Sequence, residues 1–267
     1  MQAVILAGGL GTRLSEVTHS IPKPMVEVGG KPILWHIMKK FAIHGINDFI
    51  ICLGYKGYAI KEYFLNYFYH NSDITVSCKN GLSNIKVHSG PTEDWKVTLV
   101  DTGLSSETAE RLSRVADYID DQPFFFTYGD SVTNADLAQI INSQKKTNSD
   151  IAFLSVRPPG RFGALVFNEF DNSNDSEFSL LQGFQEKPQE GSGWINGGYF
   201  LLKPSILKCI KSSDQSWEID VLPRLVRSHK IYALKHNGFW HPMDTLRDNR
   251  YLNSLCQGEV SPPWLIP

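Results

Sequence analysis

Short runs of apolar residues alternate along the first part of the chain with segments whose apolar positions recur at helical spacing. The first run, residues 3–6, leads into two glycines, a pattern typical of a strand that is buried on both faces and ends in a tight turn. A segment with helical spacing follows over residues 32–45, and a second buried strand is predicted at residues 49–53. An aromatic-rich helix is predicted near residues 58–69. The resulting βαβα order favours a doubly wound, largely parallel sheet.

The middle of the chain departs from this alternation and then returns to it. Residues 73–100 predict short strands or hairpins, and residues 106–120 predict a helix. Residues 123–128 form another buried strand, which ends in Gly129 and Asp130. The same reasoning predicts helices over residues 135–145, 218–226 and 246–255, strands over residues 151–156, 164–167, 178–185, 195–202 and 231–234, and a polar solvent loop over residues 168–177. The pattern shows no linker, repeat or low-complexity segment.

The composition indicates a soluble globular protein and restricts its partners. Hydrophobic residues make up 42% of the 267 residues and charged residues 20%, which excludes a disordered or coiled-coil protein. The 26 Lys and Arg against 28 Asp and Glu leave a net charge of −2, so no chain-wide positive field attracts nucleic acid. Any phosphate binding must therefore depend on a few local cations.

The cysteines and the apolar stretches predict the compartment. No CxxC pair occurs among Cys52, Cys78, Cys209 and Cys256, so we expect free thiols rather than a zinc or redox site. No apolar stretch approaches the roughly 20 residues that a membrane span requires. The first residues also lack the basic flank of a secretory signal. We therefore expect a cytoplasmic protein with no membrane partner.

A glycine-rich loop after the first strand is the strongest candidate for phosphate binding. Its glycines allow backbone N–H groups to approach phosphate oxygens, while Arg13 and the downstream Lys23 supply positive charge. Leu14 stands where a dinucleotide fingerprint needs glycine, and Pro32 interrupts what would be a P-loop, so neither of those loops fits. A plain glycine turn with a surface arginine remains the alternative. The candidate loop residues are Leu6, Ala7, Gly8, Gly9, Leu10, Gly11, Thr12 and Arg13.

Two aspartates are candidate metal ligands. Asp130 follows a buried strand at the edge where open α/β sheets bind ligands, and Asp244 lies in another region between a strand and a loop. Mg²⁺ commonly takes one or two protein carboxylates and completes its shell with water and phosphate oxygens. Spacing alone leaves open whether the two aspartates meet or are simply solvated loop residues.

Several separate motifs resemble those of the sugar-1-phosphate nucleotidyltransferases. The first is Gly-Gly-x-Gly-Thr-Arg with a downstream Pro-Lys-Pro, and within the family the likeness is to the branch that uses CTP and glucose 1-phosphate. The likeness runs from residue 1 to about residue 256. The other motifs are KPILWH at 31–36, GYKGY at 54–58, DTG at 101–103, PPGRFG at 158–163, FQEKP at 184–188, WINGG at 194–198 and FWHPMD at 239–244.

The resemblance implies a Rossmann-like, mostly parallel but mixed sheet flanked by helices, with a sugar-binding β insertion and a helical C-terminal tail. It implies one domain over residues 1–267, with a nucleotide-binding half to about residue 130, a sugar-phosphate half over about 131–245, and a helix and tail over 246–267. The implied partners are small-molecule substrates and further copies of the chain in a homohexamer. The implied pathway leads to CDP-dideoxyhexoses of the lipopolysaccharide O antigen.

The reaction implied by the resemblance is CTP plus α-D-glucose 1-phosphate giving CDP-glucose and diphosphate. The attacking phosphate is already an anion, so positioning and charge neutralisation suffice without a general base. The resemblance assigns Mg²⁺ to Asp130 and Asp244, and catalytic roles to Arg13, Lys23, Asp130 and Lys187. It assigns the nucleotide to the glycine loop, Lys23, Ser106, Thr108, Arg111 and Gly129, and the sugar phosphate to Gly163, Glu186, Lys187 and Asn196.

Three alternatives remain open from the sequence. The same chemistry could use UTP or dTTP or another sugar phosphate, the chain could be a noncatalytic nucleotide sensor, or it could be an oxidoreductase, which Leu14 disfavours. Ser131 and Asn134 depart from the family pattern next to Asp130 and could tune the sugar or metal pocket. The histidines show no HxH or HExxH spacing, which favours packing or surface roles for them.

Overall fold

A mixed sheet of nine strands forms the centre of the part of the chain that the structure describes. The structure is a computed structural model that describes residues 1–14, 18–79, 82–90, 93–157, 164–167, 178–185, 193–211, 215–258 and 260–266. The sheet strands, in chain order, are β1 (Gln2–Leu6), β4 (Asp48–Leu53), β7 (Lys96–Asp101), β8 (Phe124–Tyr128), β10 (Ile151–Val156), β11 (Ala164–Phe167), β12 (Phe178–Gln185), β13 (Ile195–Leu202) and β14 (Ile231–His236). Short pairs outside it are β2 (Glu27–Val28) with β3 (Lys31–Pro32), β5 (Asp73–Lys79) with β6 (Leu82–Ser89), and β9 (Ser131–Thr133) with β15 (Trp240–Pro242).

The sheet is parallel on one side and mixed on the other. Its order is β11-β12-β14-β10-β13-β8-β1-β4-β7, and β8, β1, β4 and β7 all run in parallel. Strand β13 runs antiparallel to both of its neighbours, β8 and β10. The expected mostly parallel, mixed sheet is therefore confirmed, and the direction changes immediately beside β8, the strand that leads to Asp130.

Helices cover both faces of the sheet. They are α1 (Ile33–Ile43), α2 (Gly57–His70), α3 (Thr108–Arg114), α4 (Leu137–Thr147), α5 (Leu222–Leu225) and α6 (Leu246–Leu255). Apolar residues of α1 recur at positions 33, 34, 37, 38 and 41 and are fully buried in one core cluster. Ala109 and Leu112 of α3 pack in a second cluster that contains Trp217. The predicted layers of helix, sheet and helix are confirmed.

Two predicted helices differ from those observed. The helix expected near residues 106–120 is α3, which is shorter and is followed by a 3₁₀ turn at Ala116–Tyr118. The helix expected at residues 218–226 is a π-helical turn, Trp217–Val221, that leads into α5. Pro223 has no N–H with which to continue an α-helical ladder from the preceding turn, so it fits the restart of the helix at Leu222.

The C-terminal segment returns to helix α1. The indole N–H of Trp264 donates to Nδ1 of His36 at 3.0 Å, and Nε2 of His36 lies 2.7 Å from the carbonyl oxygen of Val28. Burial lowers the pKa of His36, so the ring is a neutral tautomer that donates from Nε2 and accepts at Nδ1. This histidine has the packing role expected from sequence.

The remaining expectations concern the membrane and the polar loop. Across the described ranges, no helix is both long and apolar enough to cross a membrane. The polar loop predicted at residues 168–177 lies outside the described residues.

Candidate active site

The short ribbon of β9 and β15 brings Asp130 and Asp244 together. Ser131, which follows Asp130, pairs with Pro242, and the backbone N–H of Met243 donates to the carbonyl oxygen of Asp130 at 2.8 Å. A capping box between Thr245 and Asp248 begins α6, and the Asp248 carboxylate also accepts from the backbone N–H of Asp244, which fixes the other side of the turn. Asp130 and Asp244 are therefore neighbours in the fold, which their spacing in the sequence leaves open.

Lys23 holds both carboxylates. Its Nζ donates to Oδ2 of Asp130 at 2.8 Å and to Oδ1 of Asp244 at 2.6 Å. Burial lowers the pKa of Lys23, but the charges of the two aspartates and their hydrogen bonds outweigh that effect and raise the pKa above its usual value. Lys23 is therefore a charged ammonium at the centre of the site.

The donor chemistry of this cluster fits a divalent cation. Two carboxylates converge on one cation, which is the usual protein contribution to a Mg²⁺ site. Within the described ranges, no group of three or more His, Cys, Asp and Glu side chains is placed to hold a metal ion. A cation held by Asp130 and Asp244 would therefore complete its shell with water or phosphate oxygens, as Mg²⁺ commonly does.

The glycine loop is shaped by close contacts with its surroundings. A Cβ on Gly8 would lie 2.2 Å from Nη1 of Arg111, whereas a Cβ on Gly9 would meet nothing within 4 Å. Gly11 has φ +64°, and its carbonyl oxygen accepts from the hydroxyl of Thr18 at 2.9 Å. The loop therefore needs glycine at Gly8 for space and favours it at Gly11 for backbone conformation.

Arg111 is buried and bonds to the protein backbone. Its Nη1 donates to the carbonyl oxygens of Leu53 and Gly103 and to the hydroxyl of Thr102, and its Nη2 donates to the carbonyl oxygens of Gly8 and Leu104. A guanidinium has five N–H donors, so these contacts account for much of its capacity. The observed role of Arg111 is to join the glycine loop to the segment after β7, and its expected contact with the nucleotide stays a prediction.

A pocket of about 430 Å³ connects these features at the carboxyl ends of β1 and β8. This is the edge at which open α/β sheets bind ligands. Twelve of the residues expected from sequence line it: Leu6, Ala7, Gly9, Gly11, Thr12, Lys23, Ser106, Thr108, Arg111, Gly129, Asp130 and Asp244. The other lining residues are Pro24, Glu107, Tyr128, Ser216 and Glu218.

Glu218 is the main pocket residue that no sequence motif indicates. Its carboxylate accepts hydrogen bonds from the hydroxyls of Tyr128, Thr108 and Ser216. Tyr128 also accepts from Nδ2 of Asn196 at 3.3 Å. Asn196, which we expect to contact the sugar, therefore lies beside the pocket wall. The position of Tyr128 before Gly129 was a usable signal, but Glu218 lies in a π-helical turn that has no sequence pattern of its own.

Part of the expected site lies outside the described residues. The backbone of Arg13 lies in the 3₁₀ turn Thr12–Leu14, but its side chain is outside the described residues, as are Gly163, Glu186 and Lys187. Ser131 is buried beneath the site, and its backbone carbonyl accepts from the hydroxyl of Tyr199 at 2.9 Å. Asn134 accepts from His236 at 2.9 Å at the far end of the ribbon.

The family model for nucleotidyl transferases matches residues 2–248 of the chain. The chain belongs to the nucleotidyl transferase family. Similar curated proteins of this family include a glucose-1-phosphate cytidylyltransferase of Salmonella typhi, which is 51% identical over 265 residues, covering 99% of this chain and 98% of that protein. A probable glucose-1-phosphate cytidylyltransferase of Bacillus subtilis (strain 168) is 37% identical over 256 residues, covering 96% of each. The family expected from the motifs is confirmed.

Two solved structures share the fold of this chain. HddC from Yersinia pseudotuberculosis has a TM-score of 0.71 at 24% identity, covering 95% of this chain and 98% of that one. A UDP-glucose pyrophosphorylase complexed with UDP-glucose has a TM-score of 0.73 at 16% identity, covering 95% and 97%. Membership of the nucleotidyl transferase family overturns the oxidoreductase alternative.

Proposed function

We propose that the chain transfers the cytidylyl group of CTP to α-D-glucose 1-phosphate. A phosphate oxygen of the sugar would form a bond to the α-phosphorus of CTP while the bond to the diphosphate breaks, giving CDP-glucose and diphosphate. The observation that carries the proposal is the Lys23, Asp130 and Asp244 cluster, which lies in one pocket with the glycine loop. Identity of 51% to a glucose-1-phosphate cytidylyltransferase supports the choice of nucleotide and sugar.

The chemistry requires positioning more than proton transfer. The attacking phosphate oxygen is already anionic, so the residues of this pocket need only orient the two substrates and offset their negative charge. Lys23 supplies a buried positive charge, and the backbone of the glycine loop supplies N–H donors for the triphosphate. We assign Arg13 to the same charge-neutralising role.

We assign Mg²⁺ to Asp130 and Asp244. When bound, Mg²⁺ offsets charge on the phosphates and orients them. The close approach of both carboxylates to one ammonium supports this assignment, because the same geometry suits a small cation. The β9 and β15 ribbon holds the two aspartates side by side.

The two halves of the chain divide the substrates in this proposal. The half up to about residue 130 carries the glycine loop, Ser106, Thr108 and Gly129 for the nucleotide. The half from about residue 131 carries Gly163, Glu186, Lys187 and Asn196 for the sugar phosphate, with Lys187 on the attacking group. The change of strand direction between β8 and β13 supports this division, because it falls where the two halves meet.

The decisive experiment measures diphosphate release with each of four nucleoside triphosphates, in the presence and absence of glucose 1-phosphate. We expect release with CTP that depends on the sugar phosphate. Faster release with UTP or dTTP would replace the nucleotide assignment and retain the chemistry. A chain that binds nucleotide without releasing diphosphate would be a noncatalytic sensor, an alternative that the joint presence of Lys23, Asp130 and Asp244 disfavours.

Three further expectations stay proposals. A homohexamer and a role in CDP-dideoxyhexose synthesis for the O antigen rest on the family resemblance, and a cytoplasmic location rests on the cysteines, the apolar stretches and the first residues. The four free cysteines support a reducing compartment. A hexamer of 30.1 kDa chains would have a mass of 6 × 30.1 = 180.6 kDa, which light scattering distinguishes from the monomer.

A further inference from the structure

One carboxylate at the pocket wall orders three hydroxyl groups. Oε1 of Glu218 accepts from Tyr128, and Oε2 accepts from Thr108 at 2.8 Å and from Ser216 at 3.0 Å. An ionised carboxylate only accepts hydrogen bonds, so each of these hydroxyls must direct its single hydrogen at Glu218. Thr108 and Ser216 in turn accept backbone N–H groups of the π-helical turn at 2.7 and 3.1 Å. The direction of every bond around Glu218 is therefore fixed.

This directionality extends to Asn196 through Tyr128. Because the Tyr128 hydroxyl donates to Glu218, its oxygen can only accept from Asn196, whose Nδ2 lies 3.3 Å away. Oδ1 of Asn196 accepts from the backbone N–H of Gly198 at 2.7 Å. The two contacts agree on one orientation of the amide. The Nδ2 group carries a second hydrogen, which is what the amide can offer to a ligand.

We propose that Glu218 and Tyr128 are positioning residues for the sugar phosphate. They orient the amide of Asn196 so that its Nδ2 group donates a hydrogen bond to a sugar hydroxyl. The inference rests on the proposed function, since it takes Asn196 to be a sugar contact. Glu218 and Tyr128 line the pocket, whereas Asn196 reaches it through the Tyr128 hydroxyl. Glu218 also accepts from Thr108, a residue that we assign to the nucleotide. Replacement of Tyr128 therefore tests the link to the sugar contact Asn196 without disturbing the Thr108 contact.

Replacement of Glu218 by Gln changes the direction of some of these hydrogen bonds. A Gln side chain presents an NH₂ group where one carboxylate oxygen stood, and that group cannot accept from a hydroxyl. If the NH₂ faces Tyr128, the phenol can no longer donate to the side chain at position 218, and a phenol hydrogen turned towards Asn196 would meet the N–H of the amide. Tyr128→Phe removes the link altogether and keeps the ring. Both changes weaken the hold on Nδ2 of Asn196 and leave the amide oriented through Oδ1, so we expect a loss of about five- to tenfold in sugar binding.

The test compares steady-state kinetics of Tyr128→Phe and Glu218→Gln with two control variants. Tyr199→Phe removes a buried hydroxyl that bonds to the carbonyl of Ser131, and Asp220→Asn changes an acid of the same π-helical turn that accepts backbone N–H groups at 3.0 and 2.8 Å. Neither control residue lines the pocket. We expect the KM for glucose 1-phosphate to rise about five- to tenfold in the two test variants, with kcat nearly unchanged, and to stay constant in the controls.

A panel of monodeoxy glucose 1-phosphates separates a positioning role from a purely structural one. A purely structural role would not change the discrimination between these analogues. The wild type should discriminate most strongly against the analogue that lacks the hydroxyl contacted by Asn196, and Asn196→Ala, Tyr128→Phe and Glu218→Gln should all weaken that discrimination. In the double variant of Tyr128 and Glu218, the KM for glucose 1-phosphate should match that of the single variant with the higher KM, because both residues act on one amide.

Two results would overturn the proposal, and they differ in what else they affect. If Asn196→Ala raises the KM for glucose 1-phosphate while Tyr128→Phe leaves it unchanged, the sugar assignment stands and the positioning role fails. If Asn196→Ala changes neither the KM nor the discrimination, the sugar assignment fails and the positioning role fails with it. Circular dichroism of each variant separates loss of folding from loss of binding, and Tyr128→Phe remains decisive if Glu218→Gln does not fold.

Discussion

The ammonium of Lys23 lies 2.6 Å from a carboxylate oxygen of Asp244, a residue that follows it by most of the length of the chain. The same ammonium lies 2.8 Å from Asp130. Lys23 therefore offsets the repulsion between two carboxylates that the fold holds close together, and it does so at the position where we place a divalent cation. Lys23 and that cation would therefore compete for the same two carboxylates.

This competition predicts how Lys23→Met responds to magnesium. Without the ammonium, two neighbouring carboxylates repel each other, and a cation that binds the folded chain should stabilise it by mass action. In the nucleotide-free protein we expect millimolar Mg²⁺ to raise the thermal midpoint of Lys23→Met by about 2–4 °C more than that of the wild type. Scanning fluorimetry measures this shift.

The matched control is Lys39→Met, which removes an ammonium paired with Glu93 at 3.1 Å outside the pocket. It should show no extra magnesium shift. An equal response of the two variants would show that the carboxylate pair is not the site of the cation.

Asp130→Asn should abolish measurable turnover and leave the fold intact. The substitution keeps the size of the side chain but removes the charge that pairs with Lys23 and that we assign to the metal. We expect a loss of at least about 10²-fold in kcat, as for other electrostatic groups at a reacting centre. Diphosphate release gives the rate, and circular dichroism gives the fold. Asp117→Asn, an exposed residue outside the pocket, is the control, and near-normal turnover of Asp130→Asn would refute the metal assignment.

Two adjacent glycines should respond differently to alanine. A Cβ on Gly8 would lie 2.2 Å from Arg111, which is buried and bonded to several carbonyl groups, so Gly8→Ala must displace that network. We expect it to lower the free energy of unfolding by about 1–3 kcal/mol. Gly9→Ala meets nothing within 4 Å and should stay within about 0.5 kcal/mol of the wild type. Urea unfolding measures both, and equal losses would contradict the role given to Arg111.

His36 predicts a loss of stability in acid. Burial holds the pKa of His36 below its usual value of about 6.5, so the unfolded chain binds a proton more readily than the folded chain. The stabilisation is fully present above about pH 6.5 and is lost as the pH falls from there through the lower pKa of the folded state. Protonation of Nδ1 also removes the acceptor for Trp264.

The measurement is the free energy of unfolding at several pH values on the acid side of neutrality. His36→Gln should have a shallower dependence on pH than the wild type. His70→Gln, at an exposed position on α2, is the control and should keep the slope of the wild type. A slope that His36→Gln leaves unchanged would assign the acid sensitivity to other groups.

The regular elements were predictable because their patterns are long. Strand β10, strand β13 and helix α6 each lie within the residues predicted from apolar spacing. The sequence predicts a plain helix where the π-helical turn Trp217–Val221 lies, since one irregular turn leaves the apolar spacing almost unchanged. The strands β9 and β15 have three residues each and are too short to give any period.

The candidate site was predictable only where local chemistry signals it. The glycine loop, Lys23 and the two aspartates stand at the ends of strands or in motifs, so their residue types pointed to phosphate and metal. The meeting of Asp130 with Asp244 depends on the β9 and β15 ribbon, which the sequence did not reveal. Arg111 shows the opposite difficulty, because an arginine beside a phosphate site can equally well bond to carbonyl groups of its own backbone.

The central position of β1 has a consequence for the order in which the site can assemble during synthesis. Strand β1 is made before both of its neighbours, β4 and β8, and β8 ends at residue 128. Asp244 emerges later still, and Trp264 joins His36 after that. The glycine loop is translated well before Asp244, the second carboxylate of the site. In a nascent chain on the ribosome, Lys23 and the glycine loop would therefore be present long before the pair of aspartates that we assign to the cation.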